Sequence, residues 1–184
     1  MKLVKFLILI AFLSLPSLSK GEIALSGYIG PVTKYTFLNS EFGFLLGGRG
    51  GLLVNHVFSV GAGGYSLINR VDADHPKGEE MDFMYGGVTL DWMFVPFETV
   101  HGGFTCLFGK GYINLNKGDK PTERFFVIEP EWFFQGNVTS FLQIDLGFSY
   151  RWAFDVDSYI SSWWQTSQAA VNLMVKFGKF KIDY

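Results

Sequence analysis

From residue 138 to residue 154 the chain runs Val-Thr-Ser-Phe-Leu-Gln-Ile-Asp-Leu-Gly-Phe-Ser-Tyr-Arg-Trp-Ala-Phe, and its apolar and polar positions alternate. Leu142, Ile144, Leu146, Phe148, Tyr150, Trp152 and Phe154 fall on one side; Gln143, Asp145, Gly147, Ser149, Arg151 and Ala153 fall on the other. A period of two belongs to an extended strand, whose successive side chains point to opposite faces. One flank is oily from Leu142 to Phe154, while the other carries an acid, a base and an amide. Strands of ordinary sheets run ~5–6 residues. A longer one divided in this way predicts a transmembrane β-barrel with lipid outside and a polar interior.

The same reading predicts eight extended segments, near 23–37, 41–54, 57–69, 82–95, 99–113, 124–136, 138–154 and 166–181. Asn55-His56, Val95-Pro96-Phe97-Glu98 and Gly136-Asn137 make tight connections, whereas 70–81, 114–123 and 155–165 are long and polar. Leu38-Asn39-Ser40 is short as well. Outer-membrane barrels have an even strand count, short periplasmic turns and longer outside loops. An all-β, eight-stranded antiparallel up-and-down barrel with both termini in the periplasm fits that rule.

Sidedness repeats along the chain. Met84, Val88, Leu90, Trp92 and Phe94 oppose Tyr85, Gly87, Thr89 and Asp91; Phe126, Ile128, Trp132 and Phe134 oppose Glu129, Glu131 and Gln135. Phe42, Phe44, Leu46, Leu52 and Val54 oppose Gly43, Gly47, Arg49 and Gly51. In the last segment Val171, Leu173, Val175 and Phe177 oppose Gln168, Asn172 and Lys176. Charges are expected on only one face of each strand, because a charge facing lipid costs about 2–4 kcal/mol at the bilayer midplane. Trp92, Phe94, Trp132 and Phe134 fall at inner strand ends, and Tyr35, Phe37, Trp152, Phe154, Trp163 and Trp164 at outer ends, as two interfacial girdles.

The N-terminus adds an address. Two lysines in Met1–Lys5, the apolar run Phe6–Leu15, the break at Pro16 and small residues at Ser17-Leu18-Ser19 read as a secretory signal peptide. That divides the chain into a leader, 1–19, and a barrel domain, 20–184, with cleavage after Ser19 or, second, Gly21. The leader's apolar run is shorter than the ~20 residues a membrane helix needs. A net charge of −2 without a basic block argues against nucleic acid as a partner. A single cysteine, Cys106, forms no internal disulfide; between Phe104 and Phe108 it is expected as a lipid-facing or buried thiol. Mean hydropathy is +0.21, which leans toward the membrane.

Gly47-Gly48-Arg49-Gly50-Gly51, Asn55-His56, Gly61-Ala62-Gly63-Gly64-Tyr65, Phe126-Val127-Ile128-Glu129-Pro130 and Lys176-Phe177-Gly178-Lys179-Phe180 carry a resemblance. In these the chain resembles an uncharacterised family of small eight-stranded outer-membrane barrel proteins of Gram-negative bacteria. The resemblance implies the fold and an outer-membrane location, with outer-membrane lipids and the barrel-assembly machinery as partners, and it implies no activity. Phe180, Ile182 and Tyr184 alternate toward a terminal aromatic as the assembly signal does, with Gly178 one residue off the usual spacing.

The interior face collects Arg49, Asp91, Glu129, Glu131, Asp145, Arg151 and Lys176, with His101 as a further candidate. Eight strands leave an interior just wide enough for side chains to fill, and unpaired buried ions are very unfavourable. These residues therefore read as a structural network that plugs the lumen; Glu129 and Glu131, two residues apart on one face, are expected to have one member protonated or shared by Arg49 and Arg151. The glycines of 43–51 and 61–64 precede no helix, so they relieve strand crowding rather than cradle phosphate. Of the histidines, His56 falls in a turn, His101 near an inner strand end and His75 in an outer loop beside Asp72 and Asp74, where no serine shares its strand spacing, so no catalytic residue is assigned. Asp72, Asp74, Glu79, Glu80 and Asp82 crowd one loop with ligands suited to Ca²⁺, but their spacing matches no EF-hand, and no metal or other cofactor is assigned. The role expected is structural or surface-interacting, with a narrow pore, a small-molecule passage or a lipid-modifying enzyme as alternatives. A secreted, soluble, ligand-holding barrel has the same periodicity with its faces reversed.

Overall fold

The computed structural model describes residues 24–38, 41–71, 81–94, 100–115, 123–155 and 166–180; the leader and the four residues after Phe180 lie outside them. The chain forms β1 (Leu25–Leu38), β2 (Glu41–Val54), β3 (Phe58–Leu67), β4 (Met81–Phe94), β5 (Val100–Leu115), β6 (Glu123–Thr139), β7 (Leu142–Tyr150), β8 (Trp152–Phe154) and β9 (Ala169–Gly178). From β1 to β7 each strand pairs antiparallel with the next, β8 also pairs with β6, β7 pairs with β9, and β1 closes the ring on β9. Strands β7 and β8 are two pieces of one stave, so the fold is the closed eight-stranded antiparallel barrel that the alternation predicts.

The break in that stave has a local cause. Registers on either side place Pro130 opposite Tyr150, and proline brings no N–H to the ladder. The Arg151 amide instead donates to the Gln168 carbonyl at 2.9 Å. At the other flank of the β7–β9 hairpin, the β1–β9 ladder skips Gly30 and Pro31 for the same reason.

One predicted turn is displaced. Gly136 and Asn137 stay in β6, paired with Ile144 and Gln143, and the chain reverses at Ser140-Phe141. The Gln143 side chain donates to Asn137 Oδ1 at 2.6 Å and holds Asn137 in the ladder, with a register shift before Thr139. The Asn55-His56 turn stands as read. Both residues have positive φ, 52° and 57°, and Val57 N–H donates to Val54 C=O at 3.1 Å, as a two-residue type I′ hairpin requires. The connection 95–99 and most of the three long loops lie outside the described residues, with Trp163, Trp164, His75 and the acidic group of 72–80 among them.

The two faces are sharply unlike. Trp132 and Phe134 are 59% and 61% exposed on the wall, while Glu129 and Arg151 are 2% and 1% exposed inside. A soluble barrel, apolar within and polar without, is therefore not what this sequence builds. Cys106 lies half-buried on the outward face. The expected confinement of charge to the inner face holds for most strands but not all. Lys110 faces outward from β5, and Arg124 and Asp82 do so near the loop ends of β6 and β4. Of the predicted terminal alternation only Phe180 is described, and it is buried.

Aromatic side chains collect at both rims. Toward the short turns, Phe58 stacks on Trp92 at 6.0 Å, Trp92 meets Phe94, Phe94 meets Trp132, and Trp132 meets Phe104. Toward the long loops, Tyr35 stacks on Phe44 at 5.0 Å and Tyr150 meets Trp152.

Gly87 and Gly109 pair across β4 and β5, and a Cβ on either would run into the carbonyl oxygen of Phe108 or Gly86. The strands coil against each other there because no side chain intervenes. Gly64 is different, since its nearest neighbour to a Cβ is 3.9 Å away. We expect Gly109→Ala to lower stability by about 1–3 kcal/mol, the usual range for overpacking, and Gly64→Ala to leave it unchanged. Urea titration of the refolded barrel in detergent checks the contrast.

Candidate functional site

Strand parity turns Lys34, Arg49, Arg151 and Lys176 inward against Asp91, Glu129, Glu131 and Asp145, and all eight are buried. Four cations thus face four carboxylates in the middle of the barrel, and Glu123 is buried nearer the long loops. Lys34 Nζ lies 2.6 Å from Glu129 Oε1, which also accepts from Ser149 Oγ at 2.6 Å. Asn172 Nδ2 donates to Ser149 Oγ at 3.0 Å and extends the chain of bonds. Arg49 reaches both oxygens of Glu131, at 3.2 and 3.4 Å, in the forked geometry that strengthens a guanidinium–carboxylate pair. Gly147 makes room for that carboxylate, since a Cβ there would lie 2.5 Å from Glu131 Oε1.

Nearer the short turns, Lys176 Nζ is 2.6 Å from Asp145 Oδ2 and donates to Gln135 Oε1 at 2.7 Å. Gln135 Nε2 lies 2.9 Å from His101 Nε2. Asp91 accepts from the Tyr28 hydroxyl and, at 2.8 Å, from Thr105 Oγ1. The small space between Tyr28, Met93, His101, Gln143 and Phe180 is about that of a single water.

All seven charged residues singled out from the sequence lie in this interior, and His101 lies with them. Their partners differ from the expectation in one respect. Glu129 is met at ion-pair distance by Lys34, a residue the sequence reading passed over, while Arg151, which also acts electrostatically on Glu129, lies over the rings of Phe83 and Tyr85 at 4.7 and 5.2 Å. Arg151 Nε donates to the Thr166 carbonyl at 2.9 Å. The missed signal was available: Tyr35 and Phe37 face outward, so alternation sends Lys34 in.

The interior is also less uniformly polar than predicted. Phe83 stacks on Phe125 at 5.4 Å and touches Tyr85, which meets Tyr65. With Leu45, Val71, Met81 and Ile113 they form an apolar cap at the long-loop end. Lys34 Nζ sits 3.9 Å from the Tyr65 ring centroid, so the cap reaches the charged layer through cation–π contact. His56 lies in a short turn and lines the small space shared by His101, Gln135 and Lys176. Among the described residues no group of three or more His, Cys, Asp or Glu is arranged to hold a metal.

Three solved structures are similar in fold. Neisserial surface protein A matches with a TM-score of 0.60 at 11% identity, over 88% of this chain and 100% of its own. Ail, the attachment invasion locus protein of Yersinia pestis, matches with 0.53 at 17% identity, over 84% of this chain and 97% of its own. The outer membrane protein OprG of Pseudomonas aeruginosa matches with 0.53 at 9% identity, over 89% and 99%. At these identities the likeness is one of fold. No protein-family model matches the chain. No curated protein matches it.

Removing one member of a buried pair strands the other ion, at a cost of about 3–5 kcal/mol. Glu129→Gln is expected to lose that much stability, and the double change Lys34→Met with Glu129→Gln to recover part of it. Unfolding midpoints in detergent measure both; equal values for the single variant and the parent would remove the pairing.

Proposed function

We propose that this protein is an integral barrel of the Gram-negative outer membrane, exported by its leader and cleaved near Ser19. Its filled interior serves as a rigid structural core, and its long-loop end faces the outside as an interaction surface. The observation that carries this reading is the inversion of the two faces. Paired charges are shut inside, while large apolar side chains stand exposed around the wall between two aromatic rims. In water such a wall would be far larger than the apolar patches soluble monomers expose, whereas hydrocarbon suits it. Outer-membrane lipids and, during biogenesis, the barrel-assembly machinery are the partners this implies.

The interaction role rests on the alternation of short turns and long polar segments. Two barrels of similar fold are a surface protein and an attachment invasion locus protein, and the latter is also solved with the heparin analogue sucrose octasulfate. A pore has little support, because the charged layer and the aromatic cap occupy the same lumen one above the other. A lipid-modifying enzyme has none in the described residues, where His101 is engaged with Gln135.

After expression the protein is expected in the outer-membrane fraction, released only by detergent, with unboiled and boiled samples migrating differently. Recovery in the soluble periplasmic fraction would overturn the membrane assignment. Reconstituted in planar bilayers, it is expected to show no steady conductance; a sustained open level would replace the structural role with transport.

A further inference from the structure

Lys110 departs from the rule that the rest of the wall obeys. It projects outward from within β5, between Phe108 and Tyr112. Every other outward charge among the described residues lies in the first two residues of a strand or outside the strands. Register pairs Tyr112 with Arg124 and Lys110 with Phe126, so Lys110 and Arg124 are diagonal neighbours across β5 and β6. Such neighbours stand about 7–8 Å apart, a spacing that lets two long cationic side chains converge on one anion. Lys110 Nζ rests 4.9 Å from the Phe126 ring centroid, its stem lying along the wall.

The surface beside Lys110 is hollowed. Gly86 pairs with Lys110, and Gly64 pairs with Gly86, so two adjoining strands lack side chains there. They floor a groove walled by Leu46 and Met84 and by Lys110 and Tyr112. A second groove follows Tyr112, Arg124 and Phe126 on the other flank, with Asp155 at its rim. A cation at the head of a channel shaped for a chain is the complement of an amphiphile with an anionic head.

We propose that Lys110 and Arg124 bind the phosphate group of an anionic lipid of the outer leaflet, with one acyl chain in the groove floored by Gly64 and Gly86. The proposal rests on the membrane reading above and adds to it a specific lipid class and position. A lysine facing hydrocarbon is unfavourable and extends its head toward the interface. A phosphate there supplies a counter-charge to both cations, and arginine offers it a fork of donors. Tyr112 pairs with Arg124 and lines both grooves. Asp155 lines the second groove beside both cations, so the acyl chain is assigned to the glycine side, where no charged side chain but Lys110 lines the groove.

The test uses the refolded full barrel in detergent, with lipid retention read by native mass spectrometry. Lipid A bearing its two phosphates is compared with the same lipid stripped of them. The parent is expected to retain the phosphorylated form roughly thirtyfold better, the scale set by two cations near an anionic group. Lys110→Gln with Arg124→Gln should abolish that preference, Glu41→Gln should keep it, and Gly64→Leu should weaken retention by filling the groove. Equal retention by the parent and the double variant overturns the proposal. Displacement by inorganic phosphate overturns the lipid assignment in favour of a free-phosphate site. Flotation with neutral phosphatidylcholine vesicles separates the two readings: a barrel that floats without phosphate preference loses only this site, and one that never floats loses the membrane reading.

Discussion

Ionised side chains shut inside a barrel of eight staves have no water to fall back on, and the rest of the architecture follows from how they are paired. Burying a carboxylate or an ammonium costs several kcal/mol even after relaxation. Glu129, Glu131 and Asp145 sit within ion-pair distance of Lys34, Arg49 and Lys176 respectively. The Lys34–Glu129 and Arg49–Glu131 pairs span the lumen and tie one wall to another, whereas Lys176 and Asp145 meet between the neighbouring strands β9 and β7. Asp91 is held instead by two hydroxyls, from Tyr28 and Thr105.

The aromatic cap belongs to the same solution. Phe83, Phe125, Tyr85 and Tyr65 close the lumen above the charges and lower the local dielectric, which strengthens each pair while raising the penalty for leaving one incomplete. Lys34 and Arg151 join the layers, since each lies against the ring of a capping tyrosine or phenylalanine. Side chains of the charged layer and of the cap thus fill the lumen one above the other.

On the outer wall the glycines matter as much as the aromatics. Where Gly87 meets Gly109 the backbones approach too closely for any side chain. The same close coiling leaves Gly64 and Gly86 as a furrow beside Lys110. Tight curvature and a hollowed outer surface are thus two consequences of one choice of residue.

Sidedness, strand number and the identity of most interior charges were legible in the sequence, because alternation is a local property of the backbone. Each Cβ points opposite to its neighbour's whatever the rest of the chain does. Asp145 and Arg151 could be sent inward on that ground alone, and so could Lys34 had Tyr35 and Phe37 been carried one residue further. Partnership was not legible. That Glu129 takes Lys34 as its direct partner, with Arg151 lying over Phe83, depends on the stagger between strands, and stagger is set only when the ring closes. The Gly136-Asn137 turn moved for a related reason: a bond from Gln143, visible only once β7 lies beside β6, outweighed the turn preference of the dipeptide. Lys110 and Arg124 likewise became neighbours through register, a quantity that no window of one strand contains.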